Sequence, residues 1–465
     1  MGRNEAYSPI MIDHKILIVL FLHFFTAHVS VAQSDYSQNV AYSSLLNNAK
    51  QQGKLIFFLV HQRNEHFSPF DSLSISKRTK DILKEEFVSG MVRIDPADFL
   101  HPVLKAYHLT NPTYFFMDTA GYPLLRYNKQ IMQEDTLLKL IDSVRTIARG
   151  ETLGKLAAQY KKGFRNQLLL RKLLKQYQIF DQYTDQQVLN DYVSGLTVQE
   201  LNNFETVVFL LRCGPIYDSP TYRLAYTNRK MVDSLYATLP LPTRKEINGR
   251  IQRQTFREAL DKKNFALAQN LGNRVANTWQ SHHLRGNMVR SFYPMKYLQL
   301  SGDTARYCSY ARNYYNTYFY QLDQDSLAKL DYANNKNVHI PRRGFALDSL
   351  ENLRFQSWLE KQRPHYVKEQ VDRLNYGANQ LLAFGKDDPE ILFDGIRWMH
   401  KSVVLLPDRG QSHHILAKLL YQVGFYAEAE AAQRRAVELY RPKKHYHKRM
   451  QDVLKQMVSR SWSEI

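Results

Sequence analysis

Apolar residues in this chain follow two regimes, and the change near residue 150 constrains the fold more than any other feature. Before it, short apolar runs alternate with amphipathic stretches of helical period. After it, strand signals stop and helical periodicity continues to the end. The run LIFFLV at 55–60 is unbroken by polar residues, as expected of a strand buried on both faces. Around it the pattern predicts a helix over 40–49 stopped by Gly53, a helix over 77–87 and a strand over 88–95. A short helix over 103–107, a strand over 113–118, a turn at Ala120 and Gly121, a strand over 123–127 and a helix over 135–148 follow. The order α-β-α-β-α-β-β-α calls for a mixed sheet with helices on both faces.

The first 33 residues read as an export signal. Lys15 precedes ten apolar-rich residues at 16–25, and small residues at Ser30 and Ala32 suit cleavage. The run is shorter than the ~20 residues of a spanning helix, so a soluble periplasmic or extracellular protein is expected, with no transmembrane span after processing. A start at Met11 gives a cleaner signal.

Several features of residues 34–150 resemble the thioredoxin family. KLIFF at 54–58 matches its central strand, and Phe87 with VRID at 92–95 matches the strand after its second helix. NPTYFFMD at 111–118 is similar to its x-P-T-x-x-F-x-D segment, and Gly121 with Leu125 and Arg126 to its closing hairpin. The resemblance implies a cis peptide at Pro112 and a peptide-gripping edge at Asn111 and Pro112. It places Glu65 and Ser68 where the two redox cysteines stand, and Leu59 where a buried acid often stands. A carboxylate and a hydroxyl cannot exchange disulfides, so dithiol chemistry is not expected; Glu65 and Ser68 become rim residues of a peptide site. His61, Glu65 and His66 do not share a helical face, and no metal, cofactor or catalytic residue is expected. His101 and His108 read as surface residues. The cysteines, Cys213 and Cys308, lie outside this stretch; one bridge or two unpaired buried thiols both fit.

Helices are expected over 164–177, 184–196, 255–276 and 303–322, with breaks at 213–215, 239–242 and 301–303 and an exposed connection over 334–343. The tyrosines at 307–320 read as packing residues. Near the end, an offset of 34 residues relates Leu382 and Ala383 to Leu416 and Ala417, Gly395 to Ala429, Ser402 to Ala436 and Leu405 to Leu439. Small residues at Ala417, Gly424, Ala429 and Ala436 let paired helices approach closely, and large ones at Leu420, Tyr426 and Leu439 fill the gaps. The period and pattern resemble the tetratricopeptide repeat. The reading is therefore a signal at 1–33, an α/β thioredoxin-like domain at 34–150, an all-α domain at 151–377 and tetratricopeptide-like repeats at 378–465.

Formal net charge is +19, of which residues 34–150 carry +2 and residues 151–465 carry +17. Basic surface attracts polyanions. No nucleic-acid-binding motif is present, so an anionic surface or an acidic protein suits the expected compartment better. Together these features imply an exported, redox-inactive adaptor for a protein or peptide partner in the cell envelope. The alternatives are a thiol–disulfide accessory using a lone cysteine and a structural envelope protein held to anionic surfaces by its basic tail.

Overall fold

The computed structural model describes residues 40–62, 75–94, 101–109, 112–279, 283–323, 325–327 and 365–463. The chain is mostly helical, with one four-stranded mixed sheet near its N-terminus. It divides into two compact units, Met1–Glu258 and Ala259–Ile465.

In the first unit, α1 (Tyr42–Gln52), β1 (Leu55–Gln62), α2 (Lys77–Glu86), β2 (Phe87–Ile94), α3 (Pro102–Ala106), β3 (Thr113–Met117), β4 (Pro123–Tyr127) and α4 (Glu134–Arg149) follow in the expected order. The sheet order is β2-β1-β3-β4, with β1 and β2 parallel and β3 antiparallel to both its neighbours. Residues 55–60 of β1 are all apolar because both faces of the strand are covered there. Phe57 and Leu59 meet Leu83 of α2 and Leu137, Ile141 and Val144 of α4. Ile56, Phe58 and Val60 face the opposite core, with Leu45 and Ala49 of α1. Register places Phe57 opposite Phe116 and Phe58 opposite Phe115. Each pair stacks, with ring centroids 4.5 and 5.2 Å apart, so one aromatic pair stabilises each face.

The core on the α1 side does not end at residue 150. It continues through α5 (Leu153–Lys161), α6 (Gln167–Ile179), α7 (Gln186–Ser194), α9 (Phe204–Arg212), α11 (Arg229–Thr238) and the first part of α12 (Leu241–Asp261). Two short helices, α8 (Val198–Leu201) and α10 (Pro220–Ala225), complete the unit. These brief helices are delimited by side-chain caps. Thr152, Asn166, Asp185, Asn203, Ser219 and Asn228 each accept a first-turn amide, and Thr197 with Glu200 forms a capping box.

The second unit contains α13 (Phe265–Asn277), α14 (His283–Ser301), α15 (Thr304–Tyr315), a π-helical turn (Asn316–Tyr320), α16 (His365–Phe384), α17 (Pro389–Leu405), α18 (Gly410–Gln422), α19 (Tyr426–Tyr440) and α20 (Lys444–Val458). One expectation is corrected here. The helix anticipated over 255–276 is two helices, broken where Lys263 adopts a left-handed φ of 49° and the Asn264 side chain caps α13. The polar run at 261–264 offers a turn that the apolar periodicity on either side conceals. Tyr307, Tyr314 and Tyr315 are buried packing residues. The Trp398 indole donates to the Asn316 side chain over 2.7 Å, and Gln370 and Lys401 donate to carbonyls at and just beyond the π-turn.

The small residues related by the 34-residue offset sit in helix–helix contacts. Ala417, Ala429 and Ala436 are fully buried. A methyl group on Gly395 would lie 3.2 Å from Leu419. Phe115 stacks on β1 at the centre of the sheet and is fully buried. Phe115→Ala is expected to cost the first unit about 3–5 kcal/mol, measured by urea unfolding followed by circular dichroism. A loss below about 1 kcal/mol would contradict this placement of the core.

Candidate functional site

Of the four residues expected at a peptide site, Pro112 is half-buried at the leading end of β3, while Asn111, Glu65 and Ser68 lie outside the described residues. The segment just ahead of Pro112 is already paired with another part of the chain. Tyr107 forms an antiparallel bridge with Gln182. The His108 amide donates to the Asp181 carbonyl over 3.1 Å, and the Tyr183 amide to the Ala106 carbonyl over 2.9 Å. Residues between α6 and α7 thus supply, from within the chain, main-chain partners of the kind a bound peptide would offer.

Asp181 organises this junction. Its left-handed φ of 48° turns the chain sharply after α6, and its carboxylate gathers groups distant in sequence. His108 Nδ1 lies 2.9 Å from it, Arg250 3.2 Å, Arg253 3.7 Å and Arg126 3.9 Å. Two of these arginines also tie down backbone. Arg126 donates to the carbonyls of His108 and Phe180 at 2.6 and 2.7 Å, and Arg250 to those of Gln182 and Tyr177 at 2.6 and 3.1 Å. Gln254, one turn along α12 from Arg250, brackets Thr184 through its amide and its carbonyl.

Burial alone would raise the Asp181 pKa. The hydrogen bond and charge of His108, followed by Arg253 and Arg250, outweigh it and hold the carboxyl at about 2. A carboxylate so firmly ionised is an anchor and does not serve as a proton carrier near neutrality. His108 is therefore half-buried and bonded, and His101 caps α3 by accepting from the Val103 amide over 3.3 Å. Both are expected at the surface; each is partly exposed and has a structural partner, His108 in Asp181 and His101 in the Val103 amide.

Because the folded state lowers this pKa, the contribution of Asp181 is complete above its ordinary value near 4. It fades as pH falls toward about 2. Unfolding free energies measured between pH 5 and 2 should decline less steeply in Asp181→Asn than in the parent chain. Equal slopes would contradict the anchor.

Both cysteines are free and buried. The Cys213 thiol accepts from Gln178 Nε2 at 3.1 Å, and burial pushes its pKa up to about 12. Burial raises the Cys308 pKa as well. The thiolate is the reactive form, so neither environment favours thiol chemistry. Among the described residues, no group of three or more His, Cys, Asp or Glu side chains is placed to hold a metal ion. No described helix is long and apolar enough to cross a membrane.

The second unit carries an exposed aromatic pair. Phe393 of α17 and Phe425, the residue preceding α19, meet edge to face with ring centroids 6.2 Å apart, and both remain over 40% exposed. Each belongs to a different helix pair of the 34-residue repeat. Single exposed aromatics carry no sequence motif, and only stacking of the helix pairs brings these two together.

No protein-family model matches the sequence, and no curated protein matches it. Among solved structures, the TPR domain of P58(IPK) is similar at 13% identity, over 71% of this chain and 97% of that chain. The TM-score is 0.17, too low for the likeness to carry weight.

Proposed function

We propose that this chain is an exported, non-enzymatic adaptor that holds a protein or peptide partner in the cell envelope. In this reading its sheet unit is thioredoxin-like without dithiol chemistry, and its second unit is a tetratricopeptide-like stack. A sheet of order 2-1-3-4 whose third strand alone runs antiparallel, with helices on both faces, supports the first part. So do Glu65 and Ser68 in place of cysteines. Helix pairs with small residues at a 34-residue offset support the second.

The observation that carries the binding role is the exposed Phe393–Phe425 pair. Aromatic rings left in water on an otherwise packed helical stack are typical anchors for a partner. The edge at Asn111 and Pro112, with Glu65 and Ser68 at its rim, is a second contact. Residues 106–108 are already paired with 181–183, which confines that contact to residues beyond His108.

A photoreactive amino acid at Phe425 in the tagged, exported protein tests the reading. One dominant protein adduct is expected by mass spectrometry, reduced about tenfold by Phe393→Ser, a loss of roughly 1.4 kcal/mol. No specific adduct, or one indifferent to Phe393, would overturn it.

A further inference from the structure

From residue 152 to residue 180 the chain has no Asp or Glu and seven Lys or Arg. These residues form α5, α6 and the turn between them. The turn is built as a helix stop. The Gly163 amide donates to the Tyr160 carbonyl and the Phe164 amide to the Gln159 carbonyl, at 3.0 and 3.2 Å, with Gly163 at a left-handed φ of 94°. In this motif the residue after the glycine commonly packs on an apolar residue in the last turn. Here the nearer of the two receiving positions is the polar Gln159, and Phe164 is 57% exposed. Leu168, in the first turn of α6, is 65% exposed. A side chain added at Gly163 would meet nothing within 4 Å, so the turn projects into open space.

Part of the positive charge around it is already used. Arg165 pairs with Asp191 at 2.9 Å and lies over the Tyr160 ring, Lys172 pairs with Glu151 at 2.9 Å, and Lys161 donates to the Tyr122 hydroxyl at 3.1 Å. Lys162 and Lys175 are exposed and have no ion-pair partner among the described residues.

We infer that this turn docks on an anionic lipid surface, with Phe164 and Leu168 entering the interface and Lys162 and Lys175 meeting the head groups. Charge complementarity identifies the occupant as anionic. The pairing of two bulky exposed apolar side chains with free lysines, Phe164 and Lys162 on the turn and Leu168 and Lys175 on the helix after it, favours a membrane, because such a wedge can be buried in a bilayer interface while the lysine heads stay hydrated. A folded acidic protein would need to bring its own cleft to receive the wedge. The inference concerns a surface of the first unit and does not depend on the aromatic pair of the second.

The test is co-sedimentation of the full chain with vesicles of phosphatidylcholine alone or mixed with phosphatidylglycerol. The parent chain should bind the anionic vesicles in a salt-sensitive way. Phe164→Ser with Leu168→Ser, or Lys162→Glu with Lys175→Glu, should weaken binding at least about tenfold. Both pairs are exposed, so melting temperatures should be unchanged; the comparison within one chain cancels any contribution of residues 16–25. A fluorophore on Phe164→Cys should shift its emission to the blue on the same vesicles, the native thiols being buried. The inference fails if the parent does not bind, if neither double variant weakens binding, or if the fluorophore does not shift. It fails equally if an acidic polypeptide, and not the vesicles, is retained through these residues.

Discussion

Within the first unit, one carboxylate ties the end of the sheet to the helices that follow it. Asp181 sits where the leading end of β3 meets the α6–α7 connection and α12, and its charge draws a histidine and three arginines to one point. Buried charges are tolerable only when paired and hydrogen-bonded. Two of these arginines, Arg126 and Arg250, also satisfy backbone carbonyls. Removing the acid would therefore leave several cations without their counter-charge. The anchor sits beside a hydrophobic core shared by the sheet and the helices as far as Ile251. The sheet and the helices that follow it are thus joined by polar and apolar means at once.

The buried thiols have raised pKa values and the best-ionised acid is locked in a structural cluster. What the described surface offers is apolar groups left in water: an aromatic pair on the repeat-like helices, and a phenylalanine and a leucine among lysines on the α5–α6 turn. A protein that binds a partner with one surface and a membrane with another would be an adaptor tethered at the place where its partner works.

Much of the architecture could be read from residue order. The β1 strand declared itself because burial on both faces leaves no room for polar residues. The repeat declared itself because close helix approach demands small side chains at Gly395, Ala417, Ala429 and Ala436. The Asp181 junction could not be read this way. Residues 181–183 precede the helix expected over 184–196 and carry no motif, and the arginines that complete the cluster stand about 55 residues before Asp181 and 70 after it. Nor does the change of period at 150 mark a limit of packing, since a helix can cover a sheet without altering its own periodicity; the compact units divide at 258 and 259. The break at 262–264 was hidden because apolar spacing continues in phase across it. Of the expected peptide site, only Pro112 lies among the described residues.

Native-state hydrogen exchange is the most direct test that the sheet and the following helices stand as one body anchored at Asp181. Amides of β1, β3, α6 and α9 should exchange through a common opening, and Asp181→Asn should lower protection in β3 and α6 together. Sheet amides that open independently of α6 and α9, or a substitution felt on only one side of the junction, would contradict the account.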